Sequence, residues 1–493
     1  MKFFRVGAAT KVSLIILVSR ITGFIRDMCM AAFIGAGPVN DAFLAVFKLT
    51  NLFRSVFGEG AMSAAVVPTI SQSIATHGEK YARVIKCHVL TILSLSLALL
   101  TFFVFFNMRS IILITNPGFS SNPTIFDLAE DLAYITFPYL TFISVAAFYG
   151  SVLQTKKVFA PYAATSIILN LVLISAALIC FLDGCRSQVH SQSVGVLISG
   201  ILELLWMIYF ARKYNVYLHF RKPIMSKYVR QIMRRILPGI VGAGMLQIAV
   251  WCDMIILSFF SGGISYFYFA DRIVQLPLAL FSTAIATTLL SSLSRQENNS
   301  FDRTIRSCLF FIIPSAVGLF LISEEVVMGL FGRGEFSQEA ASNTAIILRI
   351  LSFALPFQAI SKIYNTSFHA RGDTKTPMYV GCISLFVNVS VSFTLMDDFN
   401  FLCVAIGSVA AAVVQLILLV FKSTDKVRNK KDILKYFAGA TLMGFVIIIL
   451  KDFIKDYRII IQTILLVTAG AGTYIGFLAT VKVKVLRDFF IKT

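Results

Sequence analysis

Thirteen charged residues lie inside stretches of this sequence that are otherwise apolar: Arg20, Arg26, Asp27, Asp41, Lys48, Arg54, Glu59, Glu203, Asp253, Asp271, Arg272, Arg349 and Lys362. Seven of them fall between Ser19 and Pro68, in SRITGFIRD and, after a Gly/Pro turn, in DAFLAVFKLTNLFRSVFGEGAMSAAVVP. A charge at the centre of a bilayer costs about 2.5–3.5 kcal/mol on insertion scales. Charges this dense must therefore face one another or water. The helical period puts Arg20, Gly23 and Asp27 on one face and Asp41, Lys48 and Glu59 on another, with Arg26 and Arg54 off both. Four of the seven are cations, and Arg272 follows beside Asp271. The planar guanidinium fork suits phosphate and carboxylate. Arg20, Arg26, Lys48, Arg54 and Arg272 are therefore candidates to bind an anion, above all a phosphate-bearing one. Asp27, Asp41, Glu59 and Asp271 would shape the surrounding cavity. The competing reading is a set of buried ion pairs that hold the bundle together, and it weighs most for Asp27 and Glu59.

Two weaker groupings remain. Asp253, with Asn388 and Ser392 one helical turn apart, offers oxygen atoms in apolar surroundings that could hold a small hard cation such as sodium. Hydrogen bonding between helices is the plainer alternative. Glu203 stands alone in its apolar run, with no role assigned. No HExxH, GxSxG or Walker loop occurs, and the five His lie near expected helix ends or loops. The eight Cys are scattered and read as small hydrophobes; only Cys180 and Cys185 are close enough in sequence to suggest a bridge.

The elements that must position these residues follow from composition. The chain has 493 residues, 57% hydrophobic and 14% charged, with mean hydropathy +0.81. Soluble domains carry about 25% charged residues, so the class is an all-α polytopic membrane protein. Runs near the 20 residues needed to span a bilayer fall at 12–34, 41–74, 87–108, 132–154, 158–182, 193–211, 236–260, 264–293, 307–325, 343–368, 377–396, 401–421, 433–450 and 459–481, fourteen in all. With the N-terminus inside, 31 of the 44 Lys and Arg fall in inside segments and six in outside loops. This is the positive-inside pattern, with both termini cytoplasmic. It accounts for the net charge of +19 without a nucleic-acid partner. The most basic loop, 212–235, is expected along anionic headgroups. The first apolar run lacks a small-residue cleavage site, so it reads as a retained helix.

An internal repeat organises the spans. Gly118-Phe119, Pro138, QTKKVFAP and Asn170 recur as Gly334-Glu335-Phe336, Pro356, ARGDTKTP and Asn388, offset by about 216–218 residues. Further back, AVFKLTNLF lies over FADRIVQLP, which sets Lys48 against Arg272. Each half holds six spans in the same orientation, so the repeat is parallel, a transporter architecture with the site expected between the halves. The expected divisions are an N-terminal lobe at 1–213, a C-terminal lobe at 214–425 and two appended helices at 426–493.

The segments SRITGFIRD (19–27), DAFLAVFKLTNLFRSVFGEGAMSAAVVP (41–68), FYFADRIVQLP (267–277) and ARGDTKTP (370–377) resemble the MurJ (MviN) family of lipid II flippases, in the superfamily that includes MATE-type exporters. The resemblance implies two six-helix lobes around a central cationic cavity, with the last two helices forming a groove for the polyprenyl tail. It implies that Arg20, Arg26, Arg54 and Arg272 match cavity arginines, and that Asp41, Glu59 and Asp271 match acidic residues of the same motifs. Asp253, Asn388 and Ser392 fall where some relatives bind sodium, with Ser392 in place of a carboxylate. Gln275 and Ser55 also depart from the family pattern. The implied activity is transfer of lipid-linked peptidoglycan precursor from the inner to the outer leaflet of a bacterial cytoplasmic membrane by alternating access. No cofactor is expected beyond sodium or membrane-potential coupling. Lipid II and membrane lipids are the expected partners, with the cell-wall synthesis machinery open. A related exporter, for drugs or another lipid-linked oligosaccharide, is the nearest alternative. A polyprenyl-glycan polymerase is a further one, but it would need a catalytic carboxylate in a sizeable outer loop, and the outer loops are short.

Overall fold

The computed structural model describes residues 8–54, 62–185, 187–283, 300–425, 431–481 and 483. Among them the regular structure is helical, with no strand. In chain order the helices are α1 (Ala8–Ile34), α2 (Pro38–Arg54), α3 (Met62–Phe106), α4 (Met108–Thr115), α5 (Pro123–Thr136), α6 (Tyr139–Thr155), α7 (Ala160–Ala163), α8 (Thr165–Leu182), α9 (Gln188–Lys213), α10 (Lys227–Leu257) and α11 (Gly263–Pro277). They continue as α12 (Ser300–Leu321), α13 (Ser323–Phe331), α14 (Gln338–Ala370), α15 (Lys375–Thr394), α16 (Met396–Phe399), α17 (Leu402–Lys422), α18 (Lys431–Phe453) and α19 (Ile459–Thr480).

Each apolar run of the sequence overlaps one of these helices, and ten helical segments among the described residues are long and apolar enough to cross a membrane. Charge within the apolar runs gathers on α1, α2, α10 and α11. In α1 the apolar run is broken by Arg20, Arg26 and Asp27; α2 carries Asp41, Lys48 and Arg54, α10 carries Asp253, and α11 carries Asp271 and Arg272. They are the first two helices of each half of the repeat, and they hold most of the candidate site residues. Helices that carry charge cannot all face lipid tails.

The repeat is visible in the backbone. After α6, the N–H of Lys157 donates to the Gln154 carbonyl at 2.9 Å and that of Val158 to Leu153 at 3.1 Å. After α14, the N–H of Gly372 donates to His369 and that of Asp373 to Phe368, each at 3.0 Å. Both are Schellman-type helix ends with a left-handed residue, Lys157 at φ 62° and Gly372 at φ 78°.

One boundary differs from expectation. The segment 75–86, expected as an inside loop, is helical; α3 runs from Met62 to Phe106 and is broken only at Gly78, with φ 80° and ψ 170°. That backbone region is essentially reserved for glycine, so a single residue does the work of a loop. Glu59 lies outside the described residues. Lys86, expected on the inside surface, is buried and paired with Glu79 at 2.8 Å. The basic segment 212–235 is only partly a loop, because α10 starts at Lys227 behind a Ser226 cap.

The chain forms two compact units, Met1–Ser261 and Gly262–Thr493, so α10 packs with the first. In the first unit, α3, α6, α8 and α9 form the core. Gly200 admits the Tyr139 ring and Gly150 the Tyr162 ring; a Cβ at either would come within 2.7 Å. Gly118, in the turn after α4, sits against the backbone at the end of α10 and donates its N–H to Ser258 Oγ at 3.0 Å. Cys180 and Cys185 form a disulfide at the end of α8. In the second unit, α18 and α19 are fastened to α12 and α13. Arg306 pairs with Asp302 at 3.1 Å and Asp432 at 2.9 Å, Lys451 pairs with Glu325 at 2.6 Å, and the Tyr474 hydroxyl donates to the Phe310 carbonyl at 2.9 Å.

Candidate functional site

In the first unit, α8 organises the charged helices. It presents Ser166 and Asn170 one turn apart, one to α2 and one to α1. The Arg26 guanidinium donates through Nη1 to Asn170 Oδ1 at 3.1 Å, and through Nη2 and Nε to Asp27 Oδ1 at 2.6 and 3.1 Å. It lies 5.3 Å from the centre of the Phe47 ring on α2. Asn170 in turn donates to the Ser19 carbonyl at 3.0 Å and to Thr22 Oγ1 at 3.2 Å. Gly23 allows this approach, because a Cβ there would stand 3.3 Å from Asn170 Nδ2. Arg26 and Asp27 are 6% and 1% exposed. Removing one partner of such a buried pair costs about 3–5 kcal/mol, so this cluster fixes α1 against α8 and α2.

Arg54, half-buried at the end of α2, donates through Nη1 to Ser166 Oγ at 3.2 Å. Lys48 is half-buried, Asp41 is buried, and both interact with their surroundings. Arg20 is exposed on α1. The helical period put Arg20 and Asp27 on one face; the structure leaves Arg20 open and takes Asp27 into the Arg26 cluster. Glu59 is outside the described residues. In this unit, then, Arg26 is committed to the protein, while Arg20, Lys48 and Arg54 are the more accessible cations.

In the second unit, Arg272 is half-buried on α11. Its Nη2 donates to the Tyr268 hydroxyl at 3.0 Å, and its guanidinium carbon stands 5.0 Å from the Tyr268 ring centre. Asp271 Oδ1 accepts from Gln275 Nε2 at 3.2 Å. Asn388 and Ser392 come together at the contact of α15 with α17, where Ser392 Oγ donates to Asn388 Oδ1 at 3.4 Å. Gly407 makes room for both; a Cβ there would lie 2.2 Å from Ser392 Oγ and 2.7 Å from Asn388 Oδ1. Neutral oxygen donors on one helix face fit part of a hard-cation site. Asp253, half-buried on α10, belongs to the first unit.

Sequence reasoning missed Ser166, Asn170, Phe47 and Tyr268 as partners of the arginines. Asn170 was visible as a repeat element, and its pairing in an apolar run with Asn388 was the available signal. Ser166 and the two rings have no signal in one dimension.

A family model described as lipid II flippase MurJ matches residues 30–468. This chain belongs to that family. A probable lipid II flippase MurJ from Rhizobium meliloti is 34% identical, the match covering 85% of this chain and 79% of that protein. One from Rickettsia prowazekii is 31% identical over 93% of this chain and 92% of its own length. Among solved structures, a lipid II flippase MurJ in an inward closed conformation superposes with TM-score 0.84 at 27% identity, covering 95% of this chain and 98% of that one. A multidrug resistance transporter of the MATE family, in the MOP superfamily, matches with TM-score 0.65 at 13% identity over 84% of this chain, a likeness of fold alone. The MurJ family resemblance read from the four charged motifs therefore holds. The chain is a multi-pass membrane protein of transporter class.

Proposed function

We propose that this chain moves lipid II across the bacterial cytoplasmic membrane, from the inner to the outer leaflet, and that it is a flippase and not an enzyme. The relatives that carry this name match the chain along most of its length. The observation that carries the site is the concentration of charge on α1, α2 and α11, within runs that are otherwise apolar. Arg20, Lys48, Arg54 and Arg272 would hold the pyrophosphate and acidic headgroup by charge-assisted hydrogen bonds. Arg26, Asp27 and Asp41 would set the shape of the site, with Glu59 and Asp271 beside it. The tail would remain in lipid along α18 and α19. Movement of one lobe against the other, with residues 1–213 and 214–425 as the repeating halves, would expose the site to each side in turn. Sodium at Asp253, Asn388 and Ser392, or the membrane potential, would reset the cycle. The cell-wall synthesis machinery would receive the product. The Cys180–Cys185 bridge supports an orientation with both termini inside, since it lies in a loop that the charge pattern sets outside, where disulfides persist.

The test is Arg54→Ala and Arg272→Ala in cells depleted of the native protein, scored by exposure of the lipid II headgroup on the outer face. Each variant should lower exposure at least tenfold, the loss of one charge-assisted contact at about 1.5–3 kcal/mol. Normal exposure at normal expression would remove the arginines from the site. Unchanged precursor distribution on depletion of the protein itself would remove the function.

A further inference from the structure

Between α9 and α10 the chain runs from Val216 to Ser226 without regular structure, yet it is tied down along its length. Left-handed Asn215, at φ 57°, ends α9 and turns the chain back, and Val216 is buried. Lys156 Nζ, after α6, donates to the Tyr214 carbonyl at 3.0 Å. On α3 there are two anchors one turn apart. The His88 ring donates through Nδ1 to the Lys222 carbonyl at 2.9 Å, and Thr91 Oγ1 accepts the N–H of Arg221 at 3.0 Å. The segment is therefore a strap across α3. Helix α3 is buried continuously from Ile85 to Thr91, and Leu95 and Leu99 beyond it are 56% and 70% exposed. In a membrane chain those two leucines face lipid, so the strap lies just short of the hydrocarbon, in the headgroup layer.

No Asp or Glu occurs from 204 to 252. Eight Lys and Arg fall between 212 and 235, and all eight are exposed. Charge alone set this segment along anionic headgroups; the structure adds an apolar half. Tyr217, Phe220, Ile224 and Met225 stand out from the same strap, Phe220 at 70% exposure, although the backbone that carries them is held. A soluble polyanion would satisfy the cations and leave these four side chains in water. A lipid surface serves both, with Lys and Arg at the phosphates and aromatic rings at the interface. We propose that the strap is a binding site for anionic phospholipid. Arg221 and Lys222, with Arg212 and Lys213 at the end of α9, hold headgroup phosphates, while Tyr217, Phe220, Ile224 and Met225 enter the boundary of the acyl chains. The lipid thereby fixes the segment that leads into α10. This site is separate from the charged helices and does not depend on the lipid II reading.

The experiment uses the full chain with a benzophenone amino acid in place of Phe220, in nanodiscs of equal phosphatidylcholine and phosphatidylglycerol. Light joins the benzophenone to a neighbouring C–H bond, and mass spectrometry of the adduct identifies what lay there. A cation near an anionic surface is worth about fivefold in binding, so with Arg221 and Lys222 both present the adducts should favour phosphatidylglycerol by about five- to twenty-five-fold. Arg221→Gln/Lys222→Gln should bring the two yields close to equal, and so should raised salt, which screens exposed charge. Lys375→Gln/Lys422→Gln, which removes two exposed cations of the second unit, should leave the preference in place. Equal yields with Arg221 and Lys222 intact, or a preference that survives their replacement, overturn the inference. A preference lost equally on replacing Lys375 and Lys422 belongs to general surface charge and overturns it too. Adducts to protein alone would mean that a protein segment, not lipid, covers the strap, with the same consequence. Should Arg221→Gln/Lys222→Gln not fold, the salt series decides, and a preference indifferent to salt overturns the inference.

Discussion

Replacing Asn170 by Leu keeps side-chain volume on α8 and removes three hydrogen bonds to α1: the acceptor of Arg26 Nη1 and the donors to the Ser19 carbonyl and Thr22 Oγ1. The three are not equal. Thr22 Oγ1 still donates to the Val18 and Ser19 carbonyls at 3.0 and 3.1 Å, so α1 keeps a partner for each of those groups. Neutral interhelical bonds in membranes are worth about 0.6 kcal/mol on average. The Arg26 bond is charge-assisted and buried, worth about 1.5–3 kcal/mol. The expected loss is therefore about 2–4 kcal/mol, most of it carried by Arg26. Equilibrium unfolding of the purified chain in rising denaturing detergent, followed by helical circular dichroism, measures it. A double-mutant cycle with Arg26→Met isolates the pair, and the coupling should be about 1–2 kcal/mol. Coupling within about 0.5 kcal/mol of zero, the scatter expected of independent sites, would refute the assignment of Asn170 as the strut that holds Arg26.

Two further outcomes follow from the second unit. Gly407→Ala should destabilise by about 1–3 kcal/mol or more, because the new methyl group meets Ser392 Oγ and the Asn388 side chain and carbonyl where α15 packs on α17; a monodisperse variant of wild-type thermal stability in size exclusion would count against that contact. At the turn before α15, Asp373 accepts the backbone N–H of Lys375 and of Thr376, each at 3.0 Å, and the Thr376 bond is the main cause that holds its carboxyl below the ordinary range. A folded-state value below the unfolded one means that the turn is fully supported above about pH 4 and loosens as pH falls through the lowered value. Hydrogen exchange at Lys375 and Thr376 should therefore be insensitive to this group at neutral pH and rise only in acid, while Asp373→Ala should exchange fast throughout. Equal protection in the two proteins at neutral pH would refute it.

The class, the positions of the apolar helices and the parallel repeat were legible in one dimension. Hydropathy, charge and the order of Gly, Pro and Asn markers are properties of the chain itself, and a bilayer converts them directly into spans and loops. The charged helices also announced themselves: the same residues that made 19–68 and 267–277 recognisable place charge within α1, α2 and α11. Loop boundaries were less legible. A Gly in a polar stretch reads as a loop end, and nothing in the sequence around Gly78 says that one left-handed residue will break α3 while helix continues on both sides.

What only the tertiary structure decided was the partner of each charge. The helical period fixes the direction of a side chain around its own axis, but not which helix lies opposite. It therefore separated Arg26 from Asp27, adjacent residues about 100° apart on a helix, and the long arginine side chain closed that gap once α8 supplied Asn170 from the other side. The same limit hid Ser166 beneath Arg54 and left Glu203 without a role. The excess of cation was written in the sequence. Which cations are spent on the fold and which stay available to an anion depends on distances between helices, and those exist only after packing.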